Sequence, residues 1–293
     1  MSTLRELKGR IGSVASSEKI TGAMKMISSA KMHKAELALK RLLPFRTQIE
    51  SIIGNILSAD AEFSSPLIES REVNRVGIVV FGSDDGLCGA YNVNIYKQLL
   101  ARLAEYKALY GSGVKVTVYP IGKKMAKAVS RLSDGTVSVE FNTGVDSKTT
   151  GDGVRIFTER LQASFIDGSV DCVDVLYMNF KSVSRQVPKA EQLLPVVAQT
   201  FATNGVTVQS RPYIFEPDAA TIFTSVLPMF IMSVMQEVFT ENRASEQAAR
   251  VMAMQSANDN AKKLLEQLRL EYNKLRQQSI TTELLDILGG QVR

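Results

Sequence analysis

Only two cysteines, Cys88 and Cys172, and one histidine, His33, stand in a chain of 293 residues. Two thiols cannot close a metal cage by themselves, and no CxxC pair occurs. This excludes a disulfide scaffold and suits thiols kept reduced inside a cell. A long apolar run is missing too. The most apolar window, Ile222 to Met235, is interrupted by Pro228 and falls short of the roughly 20 residues that a membrane span needs. The opening MSTLRELKGR has no apolar stretch typical of a secretory signal, and Glu6 and Glu18 argue against an acid-poor transit peptide. No GxxxxGK[ST] phosphate loop, internal repeat or low-complexity tract is found. The hydrophobic fraction of 45% and charged fraction of 22% are those of an ordinary globular protein, which excludes a wholly disordered or collagenous chain.

Charge is present but uneven. Residues 1–50 hold ten Lys and Arg against four Asp and Glu, whereas the rest of the chain is nearly balanced. The basic excess therefore belongs to the N-terminal segment and predicts an acidic partner there, whether nucleic acid, anionic membrane or protein. The same segment steps in threes and fours: Leu4, Leu7, Ile11 and Val14; Ile20, Met24 and Ile27; Ala35, Ala38 and Leu42; Phe45, Ile49, Ile52 and Ile56. That is a narrow apolar stripe on one helix, with Pro44 as a kink. From Asp218 to Leu288 there is no glycine and one proline, Pro228. This second helix carries a stripe of Ala249, Ala253, Ser256, Asn260, Leu264, Leu268, Tyr272 and Leu275, and Gly289-Gly290 ends it. Each helix is far longer than a small domain is wide. Each has one stripe to bury, and the simplest partner is the other, as an antiparallel coiled coil.

The middle differs in kind. Asn74–Phe81, Val114–Tyr119, Val137–Phe141 and Val170–Phe180 read as strands, and 93–110, 123–132 and Asp152–Phe165 as helices. Their alternation predicts an α/β domain with an open, mostly parallel sheet, inserted between the two long helices. The expected divisions are 1–57, 73–215 and 217–288. The stretch from Ser182 to Phe215, with Pro188, Pro195 and Pro212, reads as less regular.

Few residues point to chemistry. Gly82, Gly86 and Gly89 lie in a strand-to-helix loop where glycines can cradle phosphate. Their spacing is not that of a dinucleotide fingerprint, and Asp84 and Asp85 put negative charge where a phosphate would sit. A structural turn, with the aspartates capping or turning, competes with that reading. Cys88 could be a nucleophile, but its only possible histidine partner lies on the basic helix. Cys172, in a strand, reads as core. His33 reads as solvated or at an interface. The basic helix from Lys19 to Arg46 has no aromatic besides Phe45, which suits a protein partner better than nucleic acid. The alternatives left open are a doubly wound enzyme with helical arms and a basic coiled-coil nucleic-acid binder.

Three segments carry a resemblance. Ile20–Glu36 (ITGAMKMISSAKMHKAE), residues 83–92 (SDDGLCGAYN) and residues 241–290 (ENRASEQAARVMAMQSANDNAKKLLEQLRLEYNKLRQQSITTELLDILGG) resemble the ATP synthase gamma subunit family in order and spacing, over the whole chain. The resemblance implies a coiled coil inside a ring of alternating alpha and beta subunits. It implies an α/β domain seated against the epsilon subunit and the membrane c-ring. It also implies a rotor shaft with no catalytic residue, cofactor or metal of its own, no nucleic-acid partner, and nucleotide sites chiefly in beta. The family's beta-facing segment matches Met24 and Lys25. Its coupling positions match Arg250, Gln277, Thr281 and Glu283, and Arg276 and Gln277 match where the shaft meets a beta loop. Phe215, Glu216 and Pro217 match the segment near epsilon and the c-ring. Asp85 and Ala90 depart from the family's usual basic residue and glycine, which touches only local turn details. Cys88 and Cys172 do not resemble the chloroplast regulatory dithiol. The match starts within a few residues of Met1, so a bacterial protein on the cytoplasmic face of the inner membrane is expected.

Overall fold

The computed structural model describes residues 3–57, 64–133, 135–197 and 215–290. Helix α1 (Leu4–Leu57) is followed by β1 (Arg75–Phe81), α2 (Tyr91–Tyr110), β2 (Lys115–Ile121), α3 (Lys123–Val129) and β3 (Val137–Val139). Then come α4 (Asp152–Ile166), β4 (Cys172–Ser182), β5 (Arg185–Leu194) and the terminal helix α5 (Ala219–Gly290). The chain divides into two compact units: Ala30–Ala249, and a smaller one made of Met1–Ser29 with Arg250–Arg293.

The larger unit is built on a five-stranded sheet of order β3-β2-β1-β4-β5. β1 pairs in parallel with β2 and β4, and β2 with β3, while β4 and β5 are antiparallel. The central strand shows why it is central. Alternate side chains of a strand face opposite sides, and in RVGIVVF both sides are apolar. Val76, Ile78 and Val80 enter one core with Ile95, Leu99 and Leu103 of α2 and Met125 and Val129 of α3. Val79 and Phe81 enter the other, with Phe157 and Leu161 of α4, Ile49 and Ile53 of α1, and Phe230 and Phe239 of α5. The apolar window of α5 is spent here: Phe223, Leu227, Phe230, Ile231, Val234, Met235 and Val238 are all buried. That core helix is nonetheless long and apolar enough to cross a membrane by length and composition alone.

β5 corrects one sequence expectation. Residues 185–194 form an edge strand despite Pro188, which pairs opposite Met178, with register shifts near both ends of the pairing. A proline lacks the N–H that a central strand needs, but an edge strand can place that gap outward. Pro212 and the rest of 198–214 lie outside the described residues.

Two buried ion clusters tie elements of this unit together, one joining a helix to the sheet and the other joining two helices. Asp174, fully buried in β4, accepts from Arg102 Nε at 2.6 Å and from Tyr106 hydroxyl at 2.7 Å, both on α2. Burial, reinforced by the Asp174 charge, pushes the neighbouring Cys172 thiol up to about 12, so it stays a protonated core group. On the other face, Arg46 of α1 donates to Glu50 Oε1 at 2.8 Å and to Glu237 Oε2 of α5 at 2.5 Å. Burial disfavours the guanidinium charge, but the two carboxylates outweigh it and its pKa is raised. Within this unit α1 and α5 run antiparallel. Ala38, Arg41 and Leu42 border a cavity with Gln236, Phe239 and Thr240, whereas Arg46, further along α1, reaches back to Phe230 and Val234.

Candidate functional site

In the smaller unit the inward face of α1 is Leu4, Leu7, Ile11, Val14, Glu18, Thr21, Lys25 and Ser28, each buried or half-buried. These positions alternate steps of three and four, the period of a left-handed coiled coil. The α5 face is as regular: Val251, Met254, Asn258, Ala261, Leu265, Leu268, Tyr272, Leu275 and Ser279. Asn258 pins the seam. Its Nδ2 donates to the Glu18 carbonyl at 2.6 Å and to Thr21 Oγ1 at 3.2 Å. A Cβ on Gly22 would come within 3.3 Å of that nitrogen, so glycine there permits the close approach. One buried amide in an apolar seam fixes register, because any slip strands its donors.

This geometry corrects the apolar stripes expected above. Ile20 and Ile27 do not continue the seam of Leu4–Val14; they are 58% and 56% exposed, beside Met26 at 69%. On α5, Ser256, Asn260 and Leu264 also face out, and the seam runs instead through Asn258, Ala261 and Leu265. In the larger unit Phe45 and Ile52 are exposed, while Leu39, Ile49, Ile53 and Ile56 are buried. The seam keeps strict three-four alternation and accepts polar residues to do so. The apolar residues left over form an outward face. At the far end of α5, Ile280, Leu284, Leu285, Ile287 and Leu288 are exposed as well. Apolar surface of this extent marks an interaction site.

The residues singled out from sequence fall as follows. Met24 and Lys25 are half-buried, Lys25 in the seam and Met24 at its flank. Arg250 is buried. Arg276, Gln277, Thr281 and Glu283 are exposed, with Thr281 Oγ1 donating to the Gln277 carbonyl at 2.9 Å and Ser279 to Glu283 at 3.5 Å. In the larger unit, Glu216 is exposed just before α5. Asp218, two residues on, caps that helix by accepting from the Thr221 N–H at 2.8 Å and hydroxyl at 2.7 Å, bonds that lower its pKa.

The loop of residues 82–92 is closed on itself and on its neighbours. Asn92 Oδ1 accepts from Ser83 N–H at 3.0 Å, and Asn92 Nδ2 donates to Ser83 Oγ at 2.8 Å. Asp84 caps α3 by accepting from Lys123 N–H at 3.0 Å, and its other oxygen takes both donors of Ser147. Asp85 pairs with Lys148 at 3.1 Å. A Cβ on Gly82 would lie 2.5 Å from Met125 Cβ, so nothing larger than glycine fits. With Asp84 occupied by backbone and hydroxyl donors, this is a structural clasp, and the turn reading of the glycines holds. Among the described residues no group of three or more His, Cys, Asp or Glu is placed to hold a metal.

Comparison with known proteins decides the family. A family model described as ATP synthase matches residues 3–292. The chain is 42% identical over 293 residues to an ATP synthase gamma chain of Phocaeicola vulgatus, covering all of both, and 39% identical to that of Bacteroides thetaiotaomicron, again over both full lengths. The chain belongs to the ATP synthase gamma chain family. Solved structures share the fold at lower identity. A chain of the Euglena gracilis mitochondrial ATP synthase matches with a TM-score of 0.62 at 18% identity, covering 99% of this chain and 93% of that one. A chain of the Tetrahymena thermophila mitochondrial ATP synthase, from a structure titled central stalk and c-ring, matches with a TM-score of 0.56 at 22% identity, covering 81% and 99%. Sequence reasoning missed several residues that build this gamma fold: Asn258, Asn242, Tyr91 and the Arg102–Asp174 pair. A polar residue breaking an apolar three-four stripe is the signal that could have found Asn258.

Proposed function

We propose that this gamma-family chain is the rotor shaft of an F-type ATP synthase. Its terminal coil turns inside a ring of alpha and beta subunits, and its α/β unit is seated on epsilon and the c-ring. Proton flow drives the turn, and the asymmetric coil takes the beta sites in sequence through substrate binding, ATP formation and release. The catalytic sites belong to beta, and this chain is not catalytic. The complex lies on the cytoplasmic face of a bacterial inner membrane. The observation that carries the reading is the uncovered apolar surface of the smaller unit, Ile20, Met26 and Ile27 on α1 and Ile280–Leu288 on α5. A side chain that packs inside a sleeve of other subunits has reason to be apolar there. Met24, Lys25, Arg250, Arg276, Gln277, Thr281 and Glu283 are assigned to coupling with beta, and Glu216 to the foot.

Copurification tests this. The tagged chain, produced with its alpha and beta subunits, should bring both down and yield ATP hydrolysis, while the chain alone hydrolyses none. Steady hydrolysis by the pure chain, abolished by a change at Asp84 or Asp85, would overturn the assignment; so would recovery with nucleic acid in place of alpha and beta.

The basic helix allows a graded test. Reversing Lys19 and Lys31, both exposed on α1, to Glu should cut ATP-driven proton pumping several-fold at low salt, and less at high salt, because screening shortens the reach of surface charge. Reversing Lys262 and Lys263, exposed on α5, should change pumping by less than about two-fold, as exposed charges contribute little one by one. Equal losses from the two pairs would remove the charge argument.

A further inference from the structure

The larger unit grips α5 by polar bonds at one level. Asn242 and Ser245 are fully buried there, as are Ala244 and Ala248, whose small side chains let the helix lie close to the sheet. Asn242 Oδ1 accepts a short bond from the Tyr91 hydroxyl, which also reaches the Asn242 carbonyl at 3.1 Å. Asn242 Nδ2 donates to the Gly82 carbonyl at 3.4 Å. Ser245 Oγ donates to the Met178 carbonyl at 2.8 Å. Glu241 Oε1 accepts from Asn179 Nδ2 and from Phe180 N–H. Arg243 Nη2 donates to the Thr149 carbonyl at 3.0 Å. Four neighbouring residues of one helix thus reach three separate places: the β1–α2 loop, the end of β4, and the loop before α4.

At about 100° per residue, these side chains leave α5 over roughly 200° of its circumference. Apolar contacts such as Phe81 against Phe239 have no preferred direction and allow a helix to roll. Hydrogen bonds are directional, and a set fanned around the helix cannot all survive a roll in either sense. The clasp behind them is itself rigid, since Gly82 is hemmed by Met125 and by Gly122.

From this geometry we propose that residues 241–245 of α5, with Tyr91 and Met178, are the torsional lock of the α/β unit. Through them, torque passes between that unit and α5. The proposal rests on the shaft reading above. These are positioning residues: they touch no reacting group, and their part is to keep α5 from rolling against the sheet.

The test uses the assembled complex, with alpha and beta fixed to a surface and a bead on Leu109→Cys, a position 70% exposed on α2. With the motor stalled, thermal wobble of the bead reports torsional stiffness. Tyr91→Phe and Ser245→Ala should each increase the angular variance, and together at least two-fold, with the ATP hydrolysis rate within about two-fold of the parent. Leu103→Ala, an apolar core residue further along α2 than Tyr91, serves as the control for lost stability. It should lower the melting temperature and leave the variance unchanged. Unchanged variance in the double variant, or an equal rise with Leu103→Ala, would overturn the lock. A parent bead that never turns while ATP is hydrolysed would instead overturn the shaft reading, and this proposal with it.

Discussion

Arg46→Ala should cost the larger unit about 3–5 kcal/mol, the range for removing one partner from a buried ion cluster. The guanidinium bridges Glu50 on its own helix and Glu237 on α5, with side chains 19%, 6% and 12% exposed. Its loss takes from two poorly solvated carboxylates the cation that they share. For a unit of this size the melting temperature should fall by roughly 10 °C. Replacing all three groups together, Arg46→Met with Glu50→Gln and Glu237→Gln, should recover much of the loss, because no unpaired charge then remains buried. Thermal melts followed by circular dichroism at neutral pH check both. A single variant that melts within about 2 °C of the parent would show that the cluster contributes nothing net.

That cluster also illustrates what can be read from one sequence. The apolar, β-branched runs RVGIVVF and VDCVDVLYMNF were enough to place β1 and β4, and the parallel sheet followed from the helices between strands. The absence of glycine from Asp218 to Leu288 was enough for one long helix. The stripes were harder. Ile20, Ile27, Phe45 and Ile52 are apolar and helically spaced, so they read as seam, yet all are exposed. Their neighbours Glu18, Thr21, Lys25 and Arg46 hold the inward positions. Hydrophobicity alone cannot tell a face that meets the same chain from one that meets another. A strict three-four count from Leu4 does, because it lands on Leu7, Ile11 and Val14, and then on Glu18 and Thr21.

Long-range polar pairs were out of reach for a different reason. Arg102 finds Asp174, and Asn242 finds Tyr91, only because the sheet brings distant segments together. Pro188 hid β5, since a strand proline is acceptable only at an edge and sequence alone does not say which strand is the edge. The glycine loop went the other way: two carboxylates in it argued for a turn, and Asp84 capping α3 is that turn's physical content.

The rotor account has one demanding consequence. A single asymmetric shaft cannot contact three equivalent beta subunits alike, so its contacts must pass from one beta to the next during turnover. A covalent link between shaft and one beta must therefore stop the cycle. Met24→Cys serves, or Ile27→Cys where the side chain is more exposed, with a second cysteine on the facing beta loop. Cys88 and Cys172 are buried, and the Cys172 thiol lies far above the pH of the experiment, so both can stay. Oxidation should abolish ATP-driven proton pumping and most multisite hydrolysis in proportion to the yield of the linked pair, and reduction should restore both. A link from Glu216→Cys to a c-subunit, two parts that turn together, should leave pumping largely intact. Full pumping with the shaft quantitatively joined to beta would contradict the account.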